Sequence, residues 1–114
     1  KIDMPGYQVQ FSRRANQDVA DILNWLRQRS AEGARRWLDA LDQIEKRLGE
    51  SPLGFGLADE SETFKEPVRQ ALFRTKHGNT YRALFVVRES TVTLLCVRGP
   101  GQPPFSPSDM TSSN

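Results

Sequence analysis

The order of elements in this chain predicts an α+β domain. An N-terminal strand and an α-helical hairpin precede three strands, completing a small, mostly antiparallel four-stranded sheet with both helices on one face. Three observations predict it. Apolar residues recur at helical spacing in two consecutive blocks, Ala15 to Leu26 and Ala34 to Leu48. Strand-like runs flank these blocks, one before and three after. The joins between the last three runs, "KHGN" and "ES", are too short for a parallel crossover.

Taken in order, "YQVQF" puts Tyr7, Val9 and Phe11 on one side and Gln8 and Gln10 on the other, a half-buried strand. Ser12 is a good N-cap for a helix carrying Ala15, Val19, Ile22, Leu23 and Leu26 to about Arg29. Ser30 caps a second helix, with Glu32 in its first turn and a stripe of Ala34, Trp37, Leu38, Leu41, Ile44 and Leu48. Gly49 is placed to stop it. Trp25 and Trp37 read as packing residues. The stretch "ESPLGFGLADESETFKEP" reads as a loop, with room for one helical turn around Ser61 to Lys65. Strands then cover 68–74, 81–88 and 91–98. Residues 1–6 read as an N-terminal extension, in which Met4 could be an alternative start, and 7–98 as a single domain. Residues 99–114 form a Gly/Pro/Ser-rich tail, expected to be a loop and then disordered.

At 114 residues the chain suits one core without staples. The single cysteine, Cys96, lies in the apolar run "TLLCV" and reads as a small buried side chain. No apolar run approaches the length needed to span a bilayer, and no signal-peptide core is visible, so a cytoplasmic location is expected. The formal net charge is only +2, but its distribution is uneven. Between Glu50 and Glu66 five acids face Lys65 alone. Between Pro67 and Phe105 six cations (Arg69, Arg74, Lys76, Arg82, Arg88 and Arg98) face Glu89 alone. A patch of that kind suits a polyanion or an acidic protein partner, or is simply a solvated strand face.

The strand 81–88 sharpens this. Tyr81, Ala83, Phe85 and Val87 alternate with Arg82, Leu84, Val86 and Arg88. With the first set beneath the helices, Leu84 and Val86 form an apolar strip framed by arginines on the open face, and such a strip requires a cover. An acidic amphipathic segment of a partner fits, as in part does RNA. The alternative cover is the chain's own tail, or the acidic loop 50–66.

These stretches together resemble the RelE/ParE superfamily of bacterial type II toxins. "YQVQFSRRANQDVADILNWL" is similar to the family's first strand and helix, and "RLGESPLGFG" to the end of its second helix. "VRQALFRTKHGNTYRALFVV" is similar to its arginine strand, turn and Tyr-Arg strand, and "TVTLLCVRGPGQ" to its last strand and basic loop. The resemblance implies a growth-inhibiting toxin without a cofactor. Its partner would be an antitoxin whose acidic, partly disordered C-terminal segment wraps it as helix and strand. Operator DNA would be met only through that antitoxin.

The RelE branch cleaves mRNA on the ribosome without a metal, which requires a base, an acid and cations around the phosphate. Arg82 in "TYRALF" matches that branch's arginine, and Arg74 stands as a second cation. The branch's lysine positions fall near Gln70 and Leu72, however, and no tyrosine follows Arg98. The resemblance therefore favours the ParE branch, associated with inhibiting DNA gyrase by binding. The alternatives are a RelE-like endoribonuclease and a non-toxic or decayed toxin-fold binding module. His77, the only histidine, is the candidate base for cleavage or else an exposed turn residue. Catalytic candidates are thus Arg82, His77 and Arg74. Candidates for binding antitoxin or target are Arg69, Arg82, Leu84, Val86, Arg88 and Arg98.

Overall fold

The computed structural model describes residues 6–111. Expectations for residues 1–5 and 112–114 lie outside them. Strand β1 (Gln8–Phe11) is followed by helices α1 (Arg13–Arg27), α2 (Ala31–Glu50) and the short α3 (Glu60–Phe64). Strands β2 (Arg69–Phe73), β3 (Tyr81–Arg88) and β4 (Thr91–Arg98) come next, and then a one-turn helix α4 (Pro107–Thr111). The sheet order is β1-β4-β3-β2, with β1 parallel to β4 and the other pairs antiparallel. This is the α+β architecture expected.

The helix hairpin forms for the expected reasons. Ser12 Oγ accepts the Ala15 N–H and Ser30 Oγ accepts the Gly33 N–H, satisfying amides that a helix start leaves unpaired. Gly49 does not stop α2. It stays helical and its carbonyl accepts the Tyr7 N–H, tying the chain before β1 to the helix end, while Ser51 and Pro52 close the helix. Trp37, Leu41, Ile44 and Leu48 pack with Ala15 onto Ala71, Phe73, Tyr81, Ala83, Phe85, Val92, Leu94 and Val97 of the sheet.

The opposite sheet face is not bare. Leu84, Val86, Leu95 and Cys96 form a second core with Ala58, Val68 and Phe105, joined by Phe64 and Met110. A register shift between Leu84 and Phe85 leaves one extra residue in β4, so both Leu95 and Cys96 turn to this second core. Two expectations are corrected here. Leu84 and Val86 lie on the face away from the hairpin, but they are buried rather than exposed. The tail beyond Arg98 does not trail into solvent through its described part, because Phe105 is 1 % exposed in this core. An uncovered aliphatic strip in water is costly, and the nearest apolar side chains able to cover it belong to the acidic loop and the tail of the same chain.

Candidate functional site

The candidate site is the cationic strand β3 with its flanks. Arg82 leaves β3 on the second-core face. Glu60, in the first turn of α3, points down from the cover to meet it. Arg82 Nη2 donates to Glu60 Oε2 at 2.8 Å and Nη1 to Oε1 at 3.2 Å, a two-pronged guanidinium–carboxylate pair. Nη1 also donates to Gln70 Oε1 at 3.0 Å, and the Phe105 N–H donates to Glu60 Oε2 at 3.2 Å. Glu60 is only 3 % exposed. The Arg82 hydrogen bonds hold its carboxyl below the usual carboxylate range, outweighing the cost of burial. One carboxylate thus joins the acidic loop, β3 and the tail.

Arg98 is buried at 5 % exposure. Its Nη2 donates to the Pro103 carbonyl at 3.0 Å and its guanidinium lies 5.2 Å from the centre of the Phe105 ring. Arg14 approaches the same ring at 5.9 Å. Nearby, Asp18 accepts from Arg14 Nε at 3.1 Å and from the Val97 N–H at 2.9 Å, while burial pushes its carboxyl up. Burial also pushes the Cys96 thiol up to about 12, leaving it a packing residue rather than a nucleophile.

The predicted residues do not converge on one site. Arg82 meets Gln70 and Glu60. His77 stands on the hairpin side of the sheet, at the β2–β3 turn, beside Tyr81, Lys76 and Trp37. Arg74 lines a third place, a groove of about 590 Å³ with Leu72, Gln43, Ile44 and Arg47 between the edge strand β2 and α2. Among the proposed binding cations, Arg69 donates to the Phe55 carbonyl at 2.6 Å and Arg88 pairs with Glu66 at 2.8 Å. Arg98 is a core guanidinium, not a surface one. Leu84 and Val86 cannot touch a partner while the cover is in place.

Sequence reasoning did not single out Glu60, Phe105 or the outward aspect of Leu72, which is 56 % exposed. Trp25, read as packing, is 48 % exposed with the Arg29 guanidinium 4.0 Å over its ring. The first half of the β2 edge is paired: Ala58 N–H donates to the Val68 carbonyl and Gln70 N–H to the Gly56 carbonyl. Beyond Gln70 the edge is open among the described residues, and by strand alternation the Leu72 amide points outward.

No group of three or more His, Cys, Asp and Glu side chains able to hold a metal stands together among the described residues. No described helix is long and apolar enough to cross a membrane. A family model described as "ParE toxin of type II toxin-antitoxin system, parDE" matches residues 9–102, most of the chain. No curated protein matches it.

Proposed function

The chain belongs to the ParE toxin family of type II toxin–antitoxin systems, and from that premise we propose that it arrests growth by binding its target, such as DNA gyrase, without cutting RNA. One observation carries the reading. Arg82, the residue that best matches the RelE-branch arginine, is neutralised by a buried carboxylate that the Phe105 N–H also holds in place. A scissile phosphate would have to displace Glu60 from both guanidinium nitrogens to take that cation for itself. It would then find Gln70 and Leu72 where the lysines of the RelE branch stand, and the only histidine across the sheet.

The neutralising antitoxin is assigned to the opposite flank, the open half of the β2 edge with Leu72, Arg74 and Arg47. An extended acidic segment there would add a strand through the free amide of Leu72 and lay an apolar side chain in the groove. The test is induction of the full chain in growing cells, with transcript integrity and DNA supercoiling followed together. Growth arrest with intact transcripts and altered supercoiling is expected. Ribosome-dependent cuts that disappear in Arg82→Ala would overturn the reading in favour of a ribonuclease.

A further inference from the structure

At the end of the molecule where the α1–α2 turn meets the β2–β3 turn, aromatic and cationic groups are gathered with no role in the surfaces described above. Trp25 leaves nearly half its surface in water. A pocket of about 220 Å³ opens beside it, walled by Trp25, Trp37 and Tyr81 and rimmed by Arg36, Lys76 and His77. No carboxylate lines this pocket. A second depression of about 520 Å³ shares Trp25, Asn79 and Tyr81 with the first and runs on to Gly99 and Gln102, with Asp21 as its one acid. The two form a track that passes over Trp25 rather than a closed cup. Lys76 and His77 are exposed and make no hydrogen bond or ion pair among the described residues. Arg36 pairs with Glu32 at 3.0 Å, but both side chains are more than half exposed, and such pairs exchange readily in water.

We propose that this end binds single-stranded nucleic acid, with an unpaired base stacking at Trp25 and backbone phosphates meeting Lys76, His77 and Arg36. The inference goes beyond the toxin reading and does not depend on it. An acidic peptide would be served by the cations alone and would leave the indole idle. A duplex would keep its bases stacked on one another. A flexible strand uses both features, since every base has a face to stack and every nucleotide a charge to neutralise. Arg29 lies 4.0 Å over one face of the indole and helps hold the ring in place as a platform.

The experiment titrates fluorescein-labelled ten-residue oligo-dT and oligo-dA with the full chain at low and moderate salt, taking affinities of wild type and variants from anisotropy and following tryptophan fluorescence in the wild type. The chain has two tryptophans, and Trp37 is buried, so quenching reports on Trp25. Trp25→Ala, verified as folded by circular dichroism, is expected to weaken binding roughly ten-fold or more. Trp25→Phe should restore part of it. Lys76→Glu should also weaken binding and lower the slope of log affinity against log salt by about one. Lys46→Glu makes the same charge change near the far end of α2, roughly 20 Å along the helix from the turn, and should matter little. Absence of quenching at low salt would overturn the proposal. So would equal losses in Lys46→Glu and Lys76→Glu, or binding indifferent to Trp25→Ala and displaced by a polyglutamate peptide, which would make the patch a site for acidic peptides. Growth arrest is not a readout here, so this result and that of the target test stand or fall separately.

Discussion

The hairpin side of the sheet is closed by α1 and α2, fifteen and twenty residues of capped helix. The other side is closed by the five-residue α3 and a tail with a one-turn helix. Both sides bury a continuous apolar surface, yet they hold their covers differently. The hairpin lays down a long stripe with Trp37, Leu41, Ile44 and Leu48 spread along it, so no single contact decides whether it stays. The second cover has four apolar plugs (Ala58, Phe64, Phe105 and Met110) and a carboxylate that reaches Arg82 and the tail amide together. Helices of five residues do not persist in water alone, so α3 and α4 exist because they are docked. The contrast is between a cover whose strength is spread over apolar area and one concentrated in a few groups, one of them titratable.

The largest expected effect comes from the plug of the second cover. Phe105→Ala should lower the free energy of unfolding by about 3–5 kcal/mol, the range for a fully buried phenylalanine. The measurement is urea unfolding followed by circular dichroism. The result also sharpens the comparison. If the second cover can detach while the rest stays folded, the loss cannot exceed what the whole cover contributes. A loss below about 1 kcal/mol, with sheet amides still protected from hydrogen exchange, would show a detachable flap. Leu41→Ala on the hairpin side has no such ceiling and should cost about 2–5 kcal/mol.

Next in size is the charge. Glu60→Gln keeps an acceptor for the Phe105 amide but removes the charge facing Arg82, and should cost about 1–3 kcal/mol at neutral pH. The folded pKa of Glu60 lies below its unfolded one, so the ionised group favours the folded chain. That contribution is complete above the ordinary glutamate pKa of about 4.3 and is lost as pH falls through the lowered folded value. Asp18 works in the opposite sense, because burial raises its pKa and proton uptake favours the fold. The difference between wild type and Glu60→Gln cancels Asp18 and isolates Glu60. It should be constant near neutrality and shrink in acid. A difference independent of pH would mean that shape rather than charge holds the second cover.

How far the sequence could be read follows from the same contrast. The hairpin was legible because fifteen or more residues display a helical period and serines mark both starts. β3 and β4 match the expected runs, since alternation and two short turns leave little choice. The parallel pairing of β1 with β4 places β1 at the free edge of the meander, a matter of tertiary packing more than local pattern. The cover was poorly legible. One helical turn cannot display a period, and Glu60 is one of five acids in a segment that reads as solvated. Phe105 is a lone aromatic among prolines, serines and glycines, and its partner amino acid stands forty-five positions earlier. The available signal was indirect: Leu84 and Val86 demanded a cover, and the acidic loop and the tail were the pieces of chain left to supply it. The arginines were legible as charges but not as pairs, because pairing depends on which loop folds over which strand.

The smallest effect makes the cleanest comparison. Arg88 pairs with Glu66 at the rim of the second cover at 2.8 Å, the same distance that separates Arg82 from Glu60. Both are guanidinium–carboxylate pairs, but the side chains of Arg88 and Glu66 are 62 % and 34 % exposed against 29 % and 3 % for Arg82 and Glu60, and the inner pair is also held by Gln70 and the Phe105 N–H. Arg88→Ala should therefore change stability by less than about 0.5 kcal/mol, and even that should vanish in half-molar salt, where exposed charges are screened. The effect of Glu60→Gln should survive the same salt, because the buried carboxylate is shielded from counter-ions by Phe105. Equal salt sensitivity of the two variants would mean that solvent reaches Glu60 freely, and that the second cover opens far more often than its packing implies.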